Sequence, residues 1–210
     1  MALLDSNMIN QLKEVFKRLD KEVKIVNFLS SDSDKSLELK CFLEEFSEVS
    51  DKIVIENVDK NDCRYQEFGI DKLPALAFVD SNGKFTGGKF HGIPGGHEIN
   101  SFVITLLNLG KVGKPFDNEV LEQVRSIDKK LDLKVFVTLA CHHCPDIVVN
   151  TQHMAIHNPN IKAEMIDLSL FPELAKEMGI KSVPTIVYND SETTIGAKTI
   201  NEILEKMQGL

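Results

Sequence analysis

Apolar residues recur at helical spacing near the start of the chain. Met8, Leu12, Val15, Phe16 and Leu19 share one face and predict a helix over 5–19. Residues 23–29 read as a strand, and a second helix after the polar stretch 30–34 turns Leu39, Phe42, Leu43 and Phe46 inward. A strand over 53–58 follows, then a short helix near 63–68 that should stop at Gly69. Leu73-Pro74-Ala75 opens an apolar run to Val79. Ser81-Asn82-Gly83 has the Asn-Gly signature of a hairpin turn, leading to a strand over 85–90. A glycine-rich bend at 91–96 precedes a helix with Ile99, Phe102, Val103 and Leu106 inward, closed by Gly110.

Lys111-Val112-Gly113-Lys114-Pro115 is polar and aperiodic, and predicts a boundary between domains 1–112 and 113–210. After it the order begins again. A helix over 118–130 precedes a strand over 133–139, a tight turn, and a helix opening at Pro145. Asn158-Pro159-Asn160 predicts a turn, 161–166 a strand, and 173–178 a short helix closed by Gly179. Val183-Pro184-Thr185 leads into a strand over 186–188, and a turn at 189–191 into a short edge strand ending at Ile195. Thr199 with Glu202 three residues on forms a capping box for the last helix.

The two halves are in register. Gly69-Ile70-Asp71-Lys72-Leu73-Pro74 matches Gly179-Ile180-Lys181-Ser182-Val183-Pro184, each position 110 residues after its counterpart (179 − 69, 184 − 74). At the same offset Val23-Lys24-Ile25-Val26 falls on Leu133-Lys134-Val135-Phe136, and Ser31-Asp32-Ser33-Asp34 on Cys141-His142-His143-Cys144. Each half reads β-α-β-α-β-β-α with a helix ahead of its first strand. The expected fold class is therefore α/β, with a mixed sheet flanked by helices in each half. That pattern resembles two fused thioredoxin-like folds, of which only the second keeps the CxxC pair.

Composition narrows the classes. Lys and Arg number 24 against 32 Asp and Glu, a net charge of −8, which argues against nucleic acid or an anionic membrane as partner. The first eleven residues lack a basic start followed by an apolar run, so no signal peptide is expected, and no apolar stretch approaches the ~18 residues of a membrane span. Four cysteines are too few for a disulfide scaffold, and a reducing cytoplasm is the simplest compartment.

The chemistry concentrates at Cys141-His142-His143-Cys144-Pro145, where an apolar run breaks into a helix start. A helix N-terminus carries partial positive charge and unpaired N–H groups, which stabilise a thiolate on Cys141. Cys144, one turn along, is placed to attack a mixed disulfide formed at Cys141. Half a zinc site and a chance pair are the competing readings of the same four residues. As imidazolium, His142 and His143 would lower a thiol pKa and favour the reduced form; alternatively they are two solvated residues filling a turn. His153 and His157 stand at a metal-binding spacing, but a tetrahedral zinc site needs four converging ligands, and none is expected here. Cys41 is expected to be buried inside the second helix as a small hydrophobe, and Cys63 to be the more reactive of the two. Acidic runs such as 32–34 read as solvated faces.

CxxC ahead of a helix, with Val183-Pro184-Thr185 some forty residues later, resembles the thioredoxin superfamily. The first half without redox cysteines, the CHHCPD segment and Gly95-Gly96-His97-Glu98 together resemble the N-terminal domain of the F component of alkyl hydroperoxide reductase, over essentially the whole chain. The resemblance implies a thiol–disulfide oxidoreductase that takes electrons from a flavoprotein disulfide reductase using FAD and NAD(P)H and passes them to a peroxiredoxin. It implies Cys141 as attacking thiolate and Cys144 as resolving thiol. Pro184 would follow a cis peptide bond beside the disulfide, the backbone before it pairing with substrate. Glu98 would be an acidic group near the dithiol, accepting the Cys144 proton or tuning the pair; a first-turn helix carboxylate favoured by the dipole is the plainer reading. No GxGxxG follows a strand, Gly87-Gly88 and Gly95-Gly96 being placed in bends, so no nucleotide cofactor is expected. The chain is then an isolated domain of a longer protein or a stand-alone relative, unable to oxidise NAD(P)H alone. A general disulfide reductase or isomerase, and a docking module with a vestigial dithiol, are the alternatives.

Overall fold

A computed structural model describes residues 4–30 and 33–210. Residues 1–3 of the N-terminal segment, and Ser31 and Asp32 of the stretch aligned with the CHHC turn, lie outside them. Polar caps start three of the helices. Asp5 accepts from Met8 N at 2.8 Å ahead of α1 (Ser6–Phe16), and Ser33 caps α2 (Asp34–Ser47). Thr199 and Glu202 complete the expected capping box of α8 (Ile200–Gln208). The strands are β1 (Val23–Phe28), β2 (Ile53–Val58), β3 (Ala75–Val79), β4 (Phe85–His91), β5 (Leu131–Val137), β6 (Ile161–Asp167), β7 (Thr185–Tyr188) and β8 (Glu192–Ile195). The other helices are α3 (Arg64–Glu67), α4 (Glu98–Leu109), α5 (Asn118–Ser126), α6 (Cys144–His157) and α7 (Pro172–Glu177).

Among the described residues the strands make one eight-stranded sheet, ordered β2-β1-β3-β4-β6-β5-β7-β8. Its two halves repeat the same pairing: β1 lies parallel to β2 and antiparallel to β3, and β5 lies parallel to β6 and antiparallel to β7. Val23 faces Ile53 and, 110 residues on, Leu133 faces Ala163, so the parallel register follows the sequence repeat. The halves join where β4 runs parallel to β6. Each half would otherwise leave that strand as an open edge, and pairing them satisfies both ladders. One apolar core crosses the join, taking in Phe78, Phe90 and Phe102 together with Val135, Ile147 and Met165.

The join corrects one expectation. Gly87-Gly88 lies inside β4 rather than in a bend. Gly87 has φ +91°, and a Cβ there would come within 2.4 Å of the Ile161 carbonyl oxygen, so only glycine lets the two backbones approach. Gln152 of α6 bridges the same seam, donating to Ala163 O at 2.9 Å and Lys89 O at 3.3 Å.

Two further expectations change. The helix predicted to 130 stops at Ser126, because Asn158 Nδ2 donates to Val124 O and Ile127 O at 2.7 and 2.8 Å and so takes up its last carbonyls. Cys41 lies on α2 as expected but is exposed, as is Cys63. The inward stripe of Leu39, Phe42, Leu43 and Phe46 turns Cys41 to the solvent side.

Candidate redox site

The last three residues of β5, Val135 to Val137, are buried, and Thr138, Leu139 and Ala140 lead from the strand end to Cys141. The Cys141 N–H donates to Thr138 O at 3.0 Å, folding the turn back on the strand end. Cys144 is the first residue of α6, one position earlier than expected, and Pro145 occupies the first turn, where its missing N–H costs nothing. Cys141 and Cys144 form a disulfide, with Cα atoms 5.5 Å apart. The two sulfurs are not equivalent: Cys144 is fully buried, whereas Cys141 is half-buried and reachable. No side chain caps α6 at His143, so its first-turn N–H groups stay available to an anionic sulfur. His142 and His143 are both exposed.

The first half reaches the site through Gly95-Gly96-His97-Glu98. His97 N–H donates to Leu139 O at 2.9 Å, and a Cβ on Gly96 (φ +53°) would come within 2.3 Å of that same oxygen. The bend before α4 is thus held against the residue that introduces the CHHC turn. The His97 ring contacts His142 at 4.0 Å between centroids. The one signal of His97 in the sequence is its place in the GGHE segment, since no local pattern says which residues meet across two halves.

Glu98 is fully buried at the start of α4 and hydrogen-bonds Ser101 Oγ; its Oε1 has no partner among the described residues. Among the described residues no hydrogen bond links it to either sulfur. Burial pushes its pKa up to about 7, only partly offset by the Ser101 hydroxyl, with the Asp167 carboxylate adding to the rise. The carboxyl therefore titrates near neutrality, where a proton acceptor for a thiol is useful. A raised pKa means that the folded chain holds a proton the unfolded chain has released. Stability from this group is full below about 4.5 and declines as pH rises toward 7, by roughly 3 kcal/mol in all. His153, whose pKa burial lowers to about 4, acts oppositely as pH falls below 6.5. The Glu98→Gln variant isolates the carboxylate: relative to wild type its stability should be higher at pH 8 by that amount and similar at pH 4.5. Urea unfolding at the two pH values measures it, and a pH-independent difference would count against the assignment.

Pro184 is buried and follows a cis peptide bond, and Pro74, its counterpart in the first half, also follows one. Pro184 O accepts from Gly196 N at 2.8 Å and Pro74 O from Gly92 N at 3.0 Å, so the two prolines hold equivalent strand starts. His153 and His157 pair with each other at 3.1 Å between Nε2 atoms, under the Phe116 ring. Asp71, His91 and Glu164 each bring one ligand atom within 4.8 Å of the others, the arrangement a metal could use. Lys89 Nζ already lies 2.8 Å from Glu164, and Lys72 Nζ 2.6 Å from Asp71, so ammonium groups supply the positive charge there. No helix among the described residues is long and apolar enough to cross a membrane.

A CxxC disulfide at a strand-to-helix turn, beside a second strand that starts at a cis-proline, defines a thioredoxin-like thiol–disulfide oxidoreductase. Known proteins place it more narrowly. A family model described as a thioredoxin domain matches residues 131–208. The NTD_N/C domain of alkyl hydroperoxide reductase AhpF from Enterococcus faecalis superposes with a TM-score of 0.93 at 39% identity, covering 97% of this chain and 99% of that one. The alkyl hydroperoxide reductase AhpF of Pseudomonas aeruginosa is 35% identical over 205 residues, 98% of this chain. That of Escherichia coli is 33% identical over the same length. The chain spans 37% of the length of each of these two relatives. A protein disulfide oxidoreductase from Aeropyrum pernix shares the fold, with a TM-score of 0.89 at 21% identity. This chain belongs to the family of the N-terminal domain of alkyl hydroperoxide reductase AhpF.

Proposed function

We propose that the chain relays electrons from a flavoprotein disulfide reductase, which uses FAD and NAD(P)H and is either separate or fused in a longer parent, to the disulfide of a peroxiredoxin in the cytoplasm. Residues 113–210 form the domain carrying the dithiol, and residues 1–112 form a platform without redox cysteines that presents it. The observation that carries this reading is the disulfide's asymmetry: Cys141 half-buried ahead of an uncapped helix, Cys144 sealed behind it. The family relationship supports the choice of partners.

In the reduced state Cys141 thiolate attacks one sulfur of the acceptor disulfide. A Cys141–acceptor bond forms, the acceptor S–S bond breaks, and the freed sulfur leaves as a thiolate and takes up a proton. Cys144 then gives up its proton and attacks Cys141 Sγ, closing the intramolecular disulfide and releasing the second acceptor sulfur. Two electrons have passed, and the acceptor is a dithiol. Glu98 as carboxylate takes the Cys144 proton or tunes the pair. His142 and His143 as imidazolium ions favour the thiolate, and the backbone before Pro184 pairs with the acceptor strand. The donor dithiol reverses the sequence to restore the reduced pair.

The test is trapping with purified components. Reduced Cys144→Ser, mixed with an oxidised two-cysteine peroxiredoxin, should accumulate a mixed disulfide at Cys141, seen by non-reducing electrophoresis and located by mass spectrometry. Accumulation with Cys141→Ser instead would reverse the two roles, and no adduct with either variant would remove the acceptor.

A further inference from the structure

At the far end of α4 and α6 from the redox pair, a cavity of about 460 Å³ opens beneath the connection between the two halves. Lys111, Lys114 and Arg125 line it with His153, His157 and Asn108, and no carboxylate does. None of the three cations pairs with a carboxylate among the described residues. In a chain of net charge −8, three unpaired cations around one cavity are a local reversal of the surface. Asn108 lines the cavity as well but is 6% exposed, its side-chain oxygen lying against Gly113, so the cations are the groups that face a ligand there.

Two simpler explanations fall short. The C-termini of α4 and α6 attract cations, but each supplies roughly half a negative charge, less together than three full positive ones. A metal on the His153–His157 pair would need further ligands, and the other charged groups lining the cavity are ammonium and guanidinium. The imidazoles contribute no charge of their own at neutral pH. Burial lowers His153 to about 4, and burial with Arg125 and Lys111 nearby lowers His157. At 3.1 Å between Nε2 atoms, one ring donates and the other accepts. Asp117, the one carboxylate lining the neighbouring crevice, caps no part of this cavity.

We propose that this cavity binds a phosphate-class dianion, free or carried on a small ester, with Arg125 as the planar fork and Lys111 and Lys114 as point charges. Arg suits two parallel bonds to one phosphate, and lysine suits a compact charge at its rim. The apolar wall of Ile156 and Pro115 gives an ester's organic part a surface to rest on.

The test titrates the oxidised chain with inorganic phosphate and with phenyl phosphate at low ionic strength, reading the imidazole resonances by NMR. Saturable shifts at His153 and His157, without change at His97 and His142, are expected. The pair Lys111→Asn and Arg125→Ala should weaken binding by about tenfold or more with the melting temperature unchanged. Asparagine is chosen because residue 111 has φ +61°, a conformation it tolerates. Tighter binding of phenyl phosphate identifies an ester, and equal binding the free ion; either supports the site. No saturation by roughly 10 mM, or shifts identical in the double variant, would overturn it.

Discussion

Cys141→Ser is expected to lower electron transfer to an oxidised peroxiredoxin by on the order of 10³-fold or more, because a serine hydroxyl is no substitute for a thiolate and no second nucleophile stands in its place. Cys144 cannot take over: it is fully buried at the first position of α6, behind the turn. Cys41 and Cys63, though exposed, are single thiols in the first half, with no disulfide partner among the described residues. The measurement is peroxiredoxin thiol appearance with a chemical dithiol as donor, so the outcome does not depend on which flavoprotein serves the chain. Retention of more than about a tenth of wild-type turnover would mean that the electron path bypasses this sulfur.

Glu164→Gln should destabilise the fold by roughly 3–5 kcal/mol, the cost of leaving one partner of a buried ion pair uncompensated. Glu164 and Lys89 stand directly opposite each other across the β4–β6 join, 2.8 Å apart, with side chains 5% and 3% exposed. Lys89 also donates to Phe68 O and Gly69 O at 3.2 and 2.7 Å, tying the C-terminal end of α3 to the seam. Lys89→Met combined with Glu164→Leu should recover most of the loss but not all, since those two carbonyls then lose their donor. Acid should act on the same pair. Burial pushes the Glu164 carboxyl up, but His91 and Lys89 together outweigh it and hold the group down to about 2, so its stabilisation is present above 4.5 and lost as pH falls toward 2. Chemical unfolding measures all three forms. A Glu164→Gln loss below about 1 kcal/mol would show that solvent reaches the seam and screens the pair.

Much of the site was legible along the chain because its signals are local. Cys141 and Cys144 sit three apart at a period change from strand to helix, and Pro145 marks the helix start, so the redox turn needed no tertiary information. The parallel pairings within each half followed from the 110-residue repeat, since β-strands with matched apolar runs and equal connections adopt the same register. What could not be read was every contact made between the halves. Lys89 and Glu164 look like two solvated charges in strands until β4 and β6 are joined. Gly87-Gly88 looks like a bend until the Ile161 carbonyl occupies the space a side chain would need. His97 gained its place beside His142 only when the first half was laid against the turn. Cys41 failed for a smaller reason: one residue's position around a helix decides exposure, and the apolar stripe of α2 leaves it outside.

By itself, then, the order of residues determined two copies of one α/β unit and put a single reducible sulfur pair at the head of a helix. Periodicity and capping act over a few residues and are written in neighbours. Only the tertiary structure decided that the two units share one sheet and one core. That choice rests on pairing two otherwise open strand edges and on a buried charge pair whose members lie 75 positions apart (164 − 89), an energy no stretch of sequence contains alone.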